Sequence, residues 1–306
     1  MKETRPLMGT MVEITAIGRD RARVREAVIK AFAEMKRIES LMSPYRKGSD
    51  IRRINRAAGK TPVKVDAEVI KLLSRSRKVS EKSGGAFDLT AAALGGIWSF
   101  DKKSPEIPSE SEIKKTLKKV GFDLLVLDRE KETAQLSLPG MRIHPGGIAK
   151  GYACDRAARL LAEEDVSMAM VNAGGDIRVL GRKINRPWKV GLQDPRDPRR
   201  IMAWIPVKNA AVATSGDYEK FFVKDGKRYC HIMDPGTGRP ANVCRSATVI
   251  TDEAWLADTL ATAVFVLGPE EGLELVHEMD AKALVIDAAG ETHLSPVLKG
   301  KVHWLQ

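Results

Sequence analysis

The sequence predicts an α+β fold on three observations. Strand-like and helix-periodic runs intermix along the whole chain, no unit of fixed short period repeats, and strands are joined by glycine turns, "SMAMVNAGGDIRVLG" most plainly. The 306 residues, 43% apolar and 30% charged, have the balance of a soluble globular chain with a substantial core.

Taken in order, "MGTMVEITAIG" alternates as a strand does, and Asp20 to Met42 carries Val24, Val28, Met35, Ile38 and Leu41 at helical spacing. "MSPYRKGSD" supplies turn residues. A second helix is expected from Glu68 to Ser83, ended by Gly84 and Gly85, and the polar, proline-containing "KSPEIPSESE" reads as an exposed connection. "FDLLVLDREKETAQLSL" resembles a hairpin, and "IHPGGIAKGYA" is a glycine loop entering a helix through Leu161. "WKVGLQDP", "MAWIPVKNAAVATSG" and "RYCHIMDP" add strands, Glu253 to Leu267 makes an apolar helix, and a helix and strand close the chain. No domain cut is visible.

The formal net charge is +11, but the cations are dispersed. In "RDRARVREAVIKAF" and "SEIKKTLKKVGF" they sit between apolar residues at helical spacing, as on a solvated helix face, so nucleic-acid binding is not expected. An anionic small ligand or an acidic partner fits the charge equally well. The longest uncharged apolar stretch, "TLATAVFVLG", falls far below the roughly 18 residues of a membrane span, and no apolar signal core opens the chain. Cys154, Cys230 and Cys244 are odd in number and lack zinc-ligand spacing, which reads as free cytosolic thiols.

Three segments carry chemistry. "IHPGGIAKGYA" fails the Walker pattern, because Gly151 and not Ser or Thr follows Lys150, and it has no G-x-G-x-x-G fingerprint. It is either an anion site, with glycines permitting close backbone approach and Lys150 near a helix terminus, or a tight turn with a solvated lysine. In "TDEAWLADTLATAVFVLG", Leu256, Leu260, Val264 and Leu267 form an apolar stripe, with Asp258 and Thr262 one turn apart on a face away from it. These hard oxygens could hold Mg²⁺, or Asp258 could cap a loop while Thr262 bonds back to its own helix. In "CHIMDPGTGRP", His231 precedes a turn and is either a general base or phosphate partner, or a structural strand-end residue. Asp88 in "GAFDLTAAAL" and Asp176 in "NAGGDI" read as turn or cap carboxylates.

The ordered series "MGTMVEI", "MSPYRKGSDIRRIN", "GAFDLT", "GGIAKGYA", "NAGGDI", "TSGDY", "HIMDPGTGRP" and "ADTLATAVFVLG" resembles the ApbE family of FAD:protein FMN transferases over nearly the whole chain. The resemblance implies a single flavin-transferase domain over residues 1–306, in a T-fold-like arrangement of two intimately packed lobes with FAD in the cleft between them. It implies Mg²⁺-dependent cleavage of FAD and transfer of FMN to a Thr or Ser hydroxyl of a partner protein, with release of AMP. Some family members instead hydrolyse FAD to FMN and AMP, and a silent flavin-binding protein is a third possibility.

Carried over by position, the resemblance places the metal on the Gly147 carbonyl, Asp258 and Thr262, with the Ala261 backbone close by. Met8, Tyr45, Asn55, Ala86, Phe87, Asp88 and Ile232 match positions lining the FAD site. Lys150 would serve the pyrophosphate, and His231 matches the histidine expected to assist proton removal from the acceptor hydroxyl. Two departures stand out. Where relatives carry an acidic residue that contacts the flavin, followed by leucine, this chain has His144 and Pro145. His144 could offer a neutral acceptor nitrogen there or meet a phosphate, and the proline stiffens the loop. Relatives are often exported lipoproteins, whereas "MKETRPLMGT" reaches the first motif at Met8, so the chain is expected in the cytoplasm, or in the periplasm or at the inner membrane if an export segment has been removed.

Overall fold

The computed structural model describes residues 1–100 and 105–305. In chain order it places β1 (Lys2–Leu7), β2 (Thr10–Ile17), α1 (Arg21–Met42), α2 (Asp50–Arg56), β3 (Val63–Lys64), α3 (Ala67–Lys82), a 3-10 helix (Leu89–Gly96) and α4 (Glu110–Leu117). There follow β4 (Leu125–Asp128), β5 (Thr133–Leu136), α5 (Ala149–Glu163), β6 (Met168–Ala173), β7 (Asp176–Leu180), β8 (Trp188–Gln193), β9 (Ile201–Val207) and β10 (Ala211–Gly216). The chain continues through β11 (Phe221–Lys224), β12 (Lys227–Cys230), β13 (Met233–Asp234), β14 (Arg239–Pro240) and β15 (Cys244–Thr251). It closes with α6 (Ala254–Leu267), α7 (Pro269–Glu278), β16 (Lys282–Asp287), β17 (Thr292–Leu294) and β18 (His303–Trp304). No helix among the described residues is long and apolar enough to cross a membrane.

The frame is an eight-stranded antiparallel sheet in the order β1-β2-β6-β7-β10-β15-β16-β17. Strands β2 and β6 alternate, whereas β15 and β16 carry consecutive buried residues and so need cover on both faces. Helices α5 and α6 pack on one face, α1 lies against α5, and α7 lies against α6. The opposite face packs against the β18-β9-β8 sheet through Ile177, Val179, Val190, Ile205 and Leu284. A smaller sheet, β3-β5-β4, joins the main core through Leu125, Ala134 and Leu136, and Leu94, Trp98, Ile113 and Phe222 form a separate cluster.

Local rules explain the long helices. The Asp20 carboxylate caps α1 by accepting from the amides of Ala22 at 2.9 Å and Arg23 at 3.1 Å, and the predicted Val24, Val28, Met35 and Ile38 are buried. Burying each such side chain contributes about 1.5–3 kcal/mol. Helix α3 ends where Gly84 and Gly85 adopt φ of 59° and 87°, and the Gly85 amide returns to the Ser80 carbonyl at 2.8 Å.

Four readings change. The strand read from Met8 is β2, which opens after a turn at Met8 and Gly9, and β1, not expected, precedes that turn. The "SDIRRIN" stretch is a short helix started by the Ser49 hydroxyl, because that hydroxyl accepts from the Arg52 amide and Ile51 and Ile54 are buried. The end of the expected exposed connection is helical, with a capping box between Ser109 and Glu112, while residues 103–104 of that connection lie outside the described residues. Helix α6 is buried on nearly every side, Asp258 included, because the sheet, α5 and α7 enclose it.

Candidate active site

The site grows from the crossing of α5 and α6 over β7 and β10. Helix α5 has no cap from its own N-cap residue, Ile148, and Asp258 of α6 reaches its first turn instead. The helices approach closely at Gly151, where a Cβ would collide with the Ala254 carbonyl. That contact lets the Gly151 amide donate to Asp258 Oδ2 at 3.3 Å. From α5, the Lys150 ammonium forms an ion pair with Asp176 at the start of β7 and stands 3.8 Å from Asp258 Oδ2.

Both carboxylates are buried, Asp176 at 3% and Asp258 at 4% exposure. Burial holds both carboxyls above the ordinary range, Asp258 well above it because Asp176 adds to the rise, and Lys150 offsets only part of this. Burial alone would lower the lysine, but Asp176 and Asp258 hold it above its ordinary range, so it stays cationic. A divalent cation set beside Asp258 would favour its ionised form.

The other predicted metal-site atoms gather beside this cluster. The Thr262 hydroxyl donates to the Asp258 carbonyl and lies 3.3 Å from Ser215 Oγ. Gly147 faces Thr262 and the Phe87 ring, each about 3.1 Å from where a Cβ would stand. Ala261 is fully buried on the same helix. No trio of His, Cys, Asp or Glu arranged to cage a metal occurs among the described residues. A set made of one carboxylate, one hydroxyl and one backbone carbonyl is of a different kind, composed of the hard oxygens that suit Mg²⁺ with water or phosphate completing its shell.

The predicted flavin-lining residues converge on the loop before α5. The Asn55 amide is fully engaged with Ile143, donating to its carbonyl at 3.0 Å and accepting from its amide at 2.8 Å. The next residue, His144, donates its backbone N–H to Leu89, which ties the loop to the Ala86–Phe87–Asp88 segment. Asp88 caps the 3-10 helix by accepting from the Thr90 amide and hydroxyl at 2.7 and 2.6 Å, so one of its oxygens is a cap, as its local composition indicated. Tyr45 is 76% exposed and meets the His144 ring edge-on at 5.8 Å. Met8 sits in the left-handed region at φ 55° with its amide donating to Glu39, beside a shallow basin of about 630 Å³ bounded by Pro6–Met11 and Glu39. A second basin of about 350 Å³, along α3, contains none of the predicted site residues.

His144 Nδ1 accepts from the Gly146 amide at 2.9 Å, so in the neutral ring the proton is on Nε2, 3.4 Å from the Tyr45 hydroxyl. The outward nitrogen is therefore a donor, and the expected neutral acceptor is already engaged inside the loop. Burial, with the charges of Lys220 and Lys150, keeps this ring below the usual histidine pKa. His231 follows β12, its backbone N–H donating to the Lys220 carbonyl at 2.9 Å. Its ring reaches solvent yet is closely surrounded. Burial lowers its pKa, and the nearby charges of Lys220, Lys150 and His144 lower it further, against a backbone hydrogen bond that raises it. Ile232 beside it is buried and accepts from the Ala241 amide.

Sequence reading missed Asp176 as a site residue and did not weigh Ser215 or Lys220. Asp176 directly follows the Gly174–Gly175 turn, and local composition there indicates only a turn. Burial within the opening of a strand was the available signal.

A lysine set between two buried acids at the crossing of two helices, beside a hydroxyl and a glycine loop, defines an α+β protein with an oxygen-rich site at that crossing. The ApbE family model matches residues 8–285, and the chain belongs to the ApbE family. It is 34% identical over 289 residues to the FAD:protein FMN transferase of Treponema pallidum, covering 89% of this chain and 80% of that protein. It is 32% identical over 263 residues to that of Haemophilus influenzae, covering 83% and 76%. The crystal structure of the ApbE protein from Thermotoga maritima superposes with a TM-score of 0.88 at 34% identity, over 98% of both chains. The flavin transferase ApbE from Vibrio cholerae gives 0.85 at 27% identity, over 100% of this chain and 99% of that one. The mixed α+β, two-lobed architecture is that of these ApbE structures.

Proposed function

We propose that the protein transfers FMN from FAD to a Thr or Ser hydroxyl of a partner protein, forming a phosphoester and releasing AMP. The observation that carries this reading is the Lys150 ammonium set beside the buried Asp258, with Thr262 and Gly147 alongside at the amino end of α5. Its relatives of known activity are FAD:protein FMN transferases.

In this reaction the acceptor oxygen attacks the FMN-side phosphorus, the bond to the bridging oxygen breaks, and AMP leaves with that oxygen. His231 takes the hydroxyl proton; its lowered pKa keeps it neutral and receptive near pH 7. Lys150, cationic and anchored by Asp176, neutralises charge on the leaving phosphate. The Gly147 carbonyl, Asp258 and Thr262, with the Ala261 backbone nearby, would hold Mg²⁺, which supplies charge neutralisation at the pyrophosphate when bound. Met8, Tyr45, Ala86, Phe87, Asp88, His144 and Ile232 orient the flavin and nucleotide, and Asn55 orients the loop that bears His144.

The test is incubation with FAD and Mg²⁺, with and without an acceptor domain carrying a flavinylation segment, followed by intact mass and nucleotide analysis. An acceptor heavier by FMN less water, with AMP released, supports the transferase. Free FMN and AMP beside an unmodified acceptor would replace it with an FAD pyrophosphatase, and FAD binding without AMP release with a silent flavin protein. Asp258→Ala should abolish metal-dependent turnover, and His231→Ala should slow transfer more than it weakens FAD binding.

A further inference from the structure

The hairpin formed by β11 and β12 pairs with no other strand among the described residues. It turns at Asp225 and Gly226, both at positive φ, as a two-residue connection requires. One of its faces is anchored. Phe222 stacks on Tyr229 at 5.0 Å, Tyr229 stacks on Trp98 at 5.8 Å, and the Trp98 indole N–H donates to the Gly238 carbonyl. The other face is open, with Phe221 39% and Val223 58% exposed and the Arg228 guanidinium 3.7 Å above the Phe221 ring.

The register says which backbone groups face outward. His231 and Lys220 are joined by a backbone hydrogen bond, so the pairs alternate from there: Phe221 with Cys230 and Val223 with Arg228 are the non-hydrogen-bonded ones. The N–H and C=O groups of Phe221 and Val223 therefore point away from β12, along the free edge of β11. The same two residues carry the exposed apolar side chains. Cys230, paired with Phe221 and on the same face, is buried with its thiol directed at the Ala241 carbonyl, so this face is open along β11 and covered at that end of β12. Between residues 219 and 228, four cations (Lys220, Lys224, Lys227, Arg228) face two carboxylates (Glu219, Asp225). The edge leads to Lys220, one cross-strand step from His231.

We infer that the β11 edge is the docking strand for the acceptor protein, which adds an extended segment of alternating apolar and acidic residues antiparallel or parallel to Phe221–Lys224 and so leads its hydroxyl toward His231. This rests on the transferase reading. Main-chain pairing with Phe221 and Val223 supplies affinity, and the lysines select acidic side chains. An exposed apolar edge invites such pairing, and its attachment to the Trp98 cluster holds it ready.

The experiment uses the full chain with FAD and a dye-labelled acceptor domain whose reactive Thr is replaced by Val, so that docking is read by anisotropy without transfer. Val223→Pro removes an outward N–H that the hairpin does not use, and Val223→Glu places a carboxylate on the open face while leaving the backbone intact. Both should weaken docking at least tenfold with FAD affinity unchanged, and should raise the KM for the intact acceptor more than they lower kcat. Docking by both variants equal to the parent protein, or no docking by the parent, would overturn the inference. Parent docking that is lost in both variants, without FMN transfer to the Thr-bearing domain, would uphold the docking strand while removing the transferase reading.

Discussion

Lys150 on α5 and Asp176 on β7 form an ion pair that keeps the lysine turned partly away from Asp258, which it approaches only to 3.8 Å. The pair connects a helix to a strand 26 residues later, and it leaves Asp258 held by the Gly151 amide with only the longer contact to the lysine.

Asp176→Asn removes the anchor. Lys150 then closes on Asp258, and a divalent cation must compete with it. The half-saturating Mg²⁺ concentration for AMP release should rise about tenfold, a change of ~1.4 kcal/mol. A magnesium titration with unchanged midpoint would show that Asp176 does not govern access to Asp258. A thermal melt accompanies it, since breaking a buried pair costs about 3–5 kcal/mol when nothing replaces the lost partner, and here Asp258 remains to limit the loss.

How much of this was legible depends on the range of the interactions. Helix α1, capped by Asp20, and the end of α3 at Gly84 and Gly85 are set by neighbours within a turn or two, and the sequence showed them. Asp176 was read as a turn residue because its partner lies on another element. In α6, Asp258 and Thr262 were read on a face away from the apolar stripe, and that face too meets protein groups. The β11 strand was passed over although Asp225–Gly226 between "FFVK" and "KRYC" is a hairpin signal. The contacts among the ordered motifs required the fold.

Asp155 holds α6 in place from α5. Its two oxygens accept from the amides of Ala254 and Trp255 at 2.8 and 2.9 Å, an N-cap supplied by another helix. Asp155→Ala leaves two buried amides without partners and should cost about 1–3 kcal/mol. Because Asp258 and Thr262 ride on α6, turnover should fall more steeply with temperature than in the parent protein. Parallel chemical melts and activity at two temperatures check both effects.

Gly151→Ala tests the helix crossing. The added Cβ meets the Ala254 carbonyl, a backbone atom with no side chain to rotate aside, so α5 and α6 must separate. Overpacking of this kind costs about 1–3 kcal/mol. Separation also lengthens the Gly151 amide contact to Asp258. Stability and magnesium affinity should therefore decline together, and a variant with a lowered melting point but parental magnesium affinity would uncouple the crossing from the metal site.

The pH dependence follows from His231 and His144, both held below the ordinary histidine value of 6.5. The unfolded chain takes up these protons first as pH falls, so the stability these rings contribute is fully present above pH 6.5. It is lost progressively as pH drops from there through their lowered values. Activity should follow the same direction, because protonated His231 cannot accept the acceptor proton. The acid limb of kcat/KM should lie below 6.5 in the parent protein. Lys220→Gln removes a positive charge that lowers both rings, so it should move that limb upward and start the loss of stability at higher pH, whereas a limb that stays in place would separate Lys220 from the titration of the site.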